Sequence, residues 1–76
     1  MDWKTASEFT MPFGKYSRQR LDEIAETDEG LLYLDWLRGW LAGKENLAGL
    51  LEVVEIYLSD SAIAKELDAL LAKKQD

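Results

Sequence analysis

Glu29-Gly30-Leu31-Leu32-Tyr33-Leu34-Asp35-Trp36-Leu37-Arg38-Gly39-Trp40-Leu41 is the stretch on which the fold turns. On a wheel of about 100° per residue, Leu32, Tyr33, Leu34, Trp36, Leu37, Trp40 and Leu41 fill an arc of roughly 200°. Asp35, Arg38 and Gly39 take the remainder. An arc this wide predicts a central helix over about 29–41, covered on more than one side. Thr27 or Asp28 suits its N-cap, where a side-chain oxygen accepts a free first-turn N–H. Glu29 sits at the positive end of the helix dipole. Asp35 and Arg38, three residues apart, predict an exposed ion pair. Tyr33, Trp36 and Trp40 read as core, because an aromatic stripe at helical spacing among leucines packs more readily than it stacks on bases.

Downstream, Gly43 marks a turn, and a helix follows over about 45–58. Leu47, Leu50, Leu51, Val54 and Leu58 form its stripe, Val53 and Tyr57 flank it, and Glu52 and Glu55 lie opposite. Ser59, Asp60 and Ser61 are capping residues for a last helix over about 61–73, with Ile63, Leu67, Leu70 and Leu71 inward. Lys73 and Lys74 fall at its negative end. Upstream, residues 1–8 read as an arm or a short helical turn, with Trp3 docked on the core. Phe9-Thr10-Met11 alternates like a strand, and Pro12, lacking an N–H, makes it an edge or an end. Gly14 permits a turn, Ser17 to Gln19 read as a tip, and Arg20-Leu21 as the return. The expectation is a β-hairpin over 9–21, followed by a helical turn that faces Leu21 and Ile24 one way. The predicted fold class is α+β, mainly helical: a short N-terminal β-hairpin on a bundle of about three amphipathic helices, with residues 9–76 one domain.

Seventy-six residues bound the core. A chain this short buries only about 60% of its unfolded surface, and the absence of Cys removes any disulfide staple. Further burial would come from a protein partner or from a homodimer. The first residues lack the apolar run of a secretory leader, and no stretch approaches the ~20 apolar residues of a membrane span. The expected location is the cytoplasm, with no membrane association. The net charge of −6 opposes generic coating of DNA. It is unevenly spread: residues 9–21 hold Lys15, Arg18 and Arg20 and no acid, so the rest carries −9.

No residue set carries catalysis. There is no His and no Cys, which removes the commonest general base, thiol chemistry and zinc–thiolate sites. The serines have no His partner, and Gly14 stands alone rather than in a phosphate-cradling loop. Asp22, Glu23, Glu26, Asp28 and Glu29 cluster, but not at the spacing of a metal site, and read as a solvated linker with capping duty. The expectation is no enzyme, no cofactor and no metal. Phe13 and Tyr16 flank Gly14-Lys15 beside Arg18 and Arg20, the composition of a single-strand contact. Phe13 reads chiefly as an anchor on the central helix. The candidate contact residues are therefore Lys15, Tyr16, Arg18 and Arg20.

Met11-Pro12-Phe13-Gly14-Lys15-Tyr16, then Arg20-Leu21-Asp22-Glu23-Ile24, then Tyr33-Leu34-Asp35-Trp36-Leu37 resembles the DUF3820 family of small bacterial and phage domains. This family is labelled as quorum-sensing-regulated virulence factors, and it is similar to the C-terminal module of exodeoxyribonuclease X-like enzymes. The resemblance covers about residues 9–41. The family has a Gly soon after the Tyr where Ser17-Arg18-Gln19 stand here, and a Pro where Ala25 stands. Phe13, Gly14, Lys15, Tyr16 and Trp36 match its signature, with Phe13, Gly14 and Trp36 in structural roles. The resemblance implies an accessory piece that contacts nucleic acid or a protein partner. Together with the basic segment it gives the expected function: a non-catalytic accessory module of nucleic-acid metabolism that makes weak contact with nucleic acid through Lys15, Arg18 and Arg20. The alternative is an acidic interaction module, phage- or plasmid-encoded, that binds a host or replication protein.

Overall fold

Leucine placement explains the architecture of the computed structural model, which describes residues 1–74, the last of them by its backbone alone. Five α-helices and one 3₁₀ turn account for its regular elements: α1 Trp3–Ser7, α2 Leu21–Ile24, α3 Asp28–Leu41, a 3₁₀ turn at Glu45–Leu47, α4 Ala48–Leu58 and α5 Ser61–Lys74. Leu31, Leu34, Leu37 and Leu41 of α3 are buried, as are Leu50, Val53, Val54, Tyr57 and Leu58 of α4. Leu67 of α5 closes the core. α3 packs against α2, α4 and α5, and α1 packs against α4 and α2. Each fully buried Leu contributes about 1.5–3 kcal/mol of transfer free energy.

The expected β-hairpin is not formed, and the described residues contain no β-strand. Thr10 and Arg20 make one isolated antiparallel bridge, framed by Met11 N–H on Gln19 O at 2.9 Å and Leu21 N–H on Phe9 O at 3.0 Å. Three features stop the ladder there. Pro12 has no N–H to give. Gly14 has φ +87°, and Arg18, a non-glycine residue, has φ +73°, so neither continues an extended strand. Between them the chain folds into turns, with Ser17 N–H on Gly14 O and Gln19 N–H on Tyr16 O, both at 3.1 Å. The fold class is thus helical rather than α+β, with a bridged loop where the strands were expected.

Caps set the helix boundaries. Asp2 accepts from the Thr5 N–H at 2.8 Å and starts α1. The Glu23 carboxylate accepts from the Arg20 backbone N–H at 3.0 Å at the head of α2. Thr27 Oγ1 accepts from the Gly30 N–H at 3.0 Å and starts α3. Asp60 accepts from the N–H groups of Ala62 and Ile63 at 3.1 and 3.2 Å and starts α5. The helix expected over 45–58 is divided, because Leu47 has φ −115° and ψ 21°, outside helical geometry. The side chain of Lys74, expected beside Lys73 at the end of α5, lies outside the described residues, as do residues 75–76.

Residues 1–8 hold α1 rather than an open arm. The Trp3 indole stacks on Tyr57 (centroids 5.5 Å, interplanar 14°), and its Nε1–H donates to Tyr57 O at 3.0 Å. Burial, aided by the carboxylates of Asp22, Glu66 and Asp60, pushes the Tyr57 phenol up to about 12. The unfolded chain ionises this group near pH 10. The raised folded value contributes stability that is complete below about pH 10 and is lost as the pH rises toward 12. In an absorbance titration of tyrosinate, Tyr57 is expected to ionise last, and the urea midpoint is expected to fall over the same interval. An unfolding midpoint that stays level from pH 10 to 12 would contradict this.

Candidate functional site

The exposed flank of α3 carries Glu29, Tyr33, Trp36 and Trp40 at spacings of three and four residues, which stacks them along one face of a helix. The opposite edge, Gly30, Leu31, Leu34, Leu37 and Leu41, is the one turned inward. Trp36 is 57% exposed and Trp40 40% exposed. This corrects the expectation that the tryptophans of α3 are core residues. The neighbouring helices close over only one edge of the wide apolar arc. The bridged loop covers part of the rest, and the Trp36 ring lies beyond both. Leu31, outside the arc read from the sequence, is fully buried. The signal that points Trp36 and Trp40 outward is the company they keep at helical spacing: Glu29, Gly39 and Gly43 are all exposed.

The loop adds two rings to the strip. Phe13 meets Trp40 edge-on (6.4 Å, 75°), and Tyr16 meets Tyr33 (4.9 Å, 60°). Tyr33 and Trp36 lie 5.7 Å apart and Trp36 and Trp40 6.2 Å apart, the last pair only 20° from parallel. Five rings thus run continuously from Tyr16 to Phe13 by way of α3. Gly14 fits beneath them, since a Cβ there would come within 2.9 Å of the Tyr33 hydroxyl. Its left-handed backbone also favours glycine.

Charge is arranged around the rings. Lys15 Nζ contacts Glu29 Oε1 at 2.5 Å and lies 5.6 Å from the Tyr16 ring. Lys44 Nζ lies 5.0 Å from the Trp40 ring. The hydrogen bond to Glu29 raises the Lys15 pKa, and the same contact lowers that of Glu29. Burial raises the Tyr33 phenol. Lys15, Glu29, Leu32, Tyr33 and Trp36 line an open cleft of about 470 Å³.

Of the sequence-predicted contact residues, the structure brings Lys15 and Tyr16 to this strip. Arg20 turns to Asp22, with Nε–H donating to Oδ1 at 3.1 Å and Nη2 against Oδ2. Arg18 is exposed and has no ion pair among the described residues. Two of the three cations of residues 9–21 are therefore neutralised by carboxylates. Phe13, Gly14 and Trp36 all belong to the strip, and Trp36 is its most exposed ring. Asp35 and Arg38 form their ion pair on another side of α3, half-buried. Among the described residues no three carboxylates converge on a point that could hold a metal ion, and no helix is long and apolar enough to cross a membrane.

Comparison with protein-family models, curated proteins and solved structures returns no match. The resemblance to the DUF3820 family rests on its motif residues alone.

Removing the Trp36 ring should cost the fold little, because most of its surface is in water. Trp36→Ala is expected to lower stability by about 1 kcal/mol or less, which thermal unfolding checks. A drop comparable to that of a core leucine would make Trp36 a structural residue.

Proposed function

We propose that this chain is a non-catalytic interaction module of the cytoplasm that binds a protein partner through the aromatic strip of α3. The observation that carries the reading is Trp36, exposed at the centre of five contiguous rings. Tryptophan and tyrosine anchor protein interfaces because they bury large areas and keep a polar edge for hydrogen bonding. Charge weighs against the alternative of nucleic-acid contact through Lys15, Tyr16, Arg18 and Arg20. The chain carries −6, and Lys15 and Arg20 are held by Glu29 and Asp22. What favours that alternative is the near-parallel Trp36–Trp40 pair with Lys44 beside it, a surface on which bases can stack. The resemblance to nuclease appendages supports a partner drawn from nucleic-acid metabolism, such as a replication protein.

Site-specific photo-crosslinking tests the reading. A benzophenone amino acid at position 36 is expected to capture a discrete protein, while the same group at position 52, exposed on α4, captures none. Crosslinks from position 36 that run only to nucleic acid would move the assignment to the alternative. Equal capture from both positions would remove the strip as the contact face.

A further inference from the structure

We infer that the cleft between Glu29 and Trp36 takes the guanidinium of an arginine on the partner, which exchanges with Lys15 at the Glu29 carboxylate. The inference rests on the strip being the partner surface and adds the chemistry of what binds there. The cleft sets one carboxylate beside an indole, a phenol and the Leu32 side chain. Aromatic faces are electron-rich, so rings next to a carboxylate favour a cation that is partly stripped of water. The chain already shows this preference at both ends of the strip, with Lys15 on Glu29 near Tyr16 and Lys44 over Trp40. Between them Trp36 has no cation of the described residues over its face. The surroundings complement a positive partner: Glu26, Asp28 and Glu29 are exposed at and just before the start of α3, Lys15 pairs with Glu29, and the chain as a whole carries −6. That charge also makes a second copy of the same chain a poor occupant.

Arginine suits the cleft better than lysine. Its planar guanidinium stacks on an indole and can engage both carboxylate oxygens, whereas an ammonium is a compact, strongly hydrated point charge. Lys15 contacts Oε1 alone. The pair is also exposed, with 61% of the Lys15 and 72% of the Glu29 side chain in water, and exposed ion pairs exchange at small cost.

The test is a titration of the full chain with the blocked peptide acetyl-Gly-Arg-Gly-amide, followed by NMR at the three indole N–H signals. A ligand this small should bind with Kd on the order of 1–10 mM. The Trp36 signal is expected to move, and the citrulline version of the peptide, of equal shape and no charge, should leave it in place. Glu29→Gln should weaken binding about tenfold and Glu52→Gln should not change it. Lys15→Ala decides the matter by sign: with the internal competitor gone, affinity for the arginine peptide should rise about three- to tenfold. A fall in affinity on Lys15→Ala, or an equal response to citrulline, overturns the inference. So does a larger Trp36 shift with oligothymidine that Lys15→Ala abolishes, since removing a lysine weakens contact with a polyanion. If the arginine peptide fails while crosslinking from position 36 still captures a protein, the surface stands and the guanidinium does not.

Discussion

Gly30→Ala is expected to destabilise this protein by about 3–5 kcal/mol, the upper range for a single substitution. Gly30 is buried in the first turn of α3, where α2 ends. A Cβ at this position would stand 1.8 Å from the Ile24 carbonyl oxygen and 2.8 Å from its carbon. Both obstacles are backbone, so no rotamer change relieves them. To admit the methyl, α2 must move away from α3, and α2 carries Leu21 and Ile24, both in the core. A chain of 76 residues has roughly 4–11 kcal/mol of stability in all, so this loss removes roughly a quarter of that margin at the least and all of it at the most. Urea unfolding followed by circular dichroism measures this. Gly39→Ala is the control: nothing lies within 4 Å of a Cβ there, and replacing an exposed helical glycine should stabilise by about 0.5–1 kcal/mol. Equal midpoints for the two variants would mean that α2 and α3 do not approach as closely as described.

Leu34→Ala should cost about 3–5 kcal/mol, from the lost transfer free energy and the cavity left behind. Leu34 is wholly buried, on the edge of α3 that also buries Leu31, Leu37 and Leu41. Its neighbours are held by helices on several sides, which limits collapse into the space. The contrast with Trp36→Ala, two residues along the same helix, separates the two faces of α3: a smaller side chain should cost several times more than a larger one. If the urea midpoints of these variants came in the reverse order, the orientation of α3 would be wrong.

Periodicity was readable in α3 because Leu34, Leu37 and Leu41 repeat at three and four residues and because Thr27 supplies a cap. The same wheel could not show where burial stops. It weights Trp36 and Leu37 alike as apolar; the one hint is that Glu29, Gly39 and Gly43 share the Trp36 side, and the placement of α2, α4 and α5 decides that one ring is in water and the other side chain in the core. The loop failed for a different reason. Phe9-Thr10-Met11 has strand alternation, but alternation over three residues competes with Pro12 and with positive φ at Gly14 and Arg18, and a single bridge is what survives. Arg18 is the harder case, since no sequence rule marks an arginine for the left-handed region. The candidate site was legible as composition but not as charge. Lys15 and Arg20 count as positive in the sequence, and only the fold brings Glu29 to Lys15, fourteen residues away.

Trp3 resting on Tyr57 also orders events in time. A five-residue helix does not persist alone in water, so α1 has lasting structure only once α4 gives it a surface. The contact spans 54 residues of chain, and closing so long a span costs entropy that local contacts avoid. α1 is therefore expected to become protected late as the chain folds, after α3 and α4, and to exchange its amide hydrogens earlier than they do. Trp3 should report that docking step, and Trp36 and Trp40, on α3, should not.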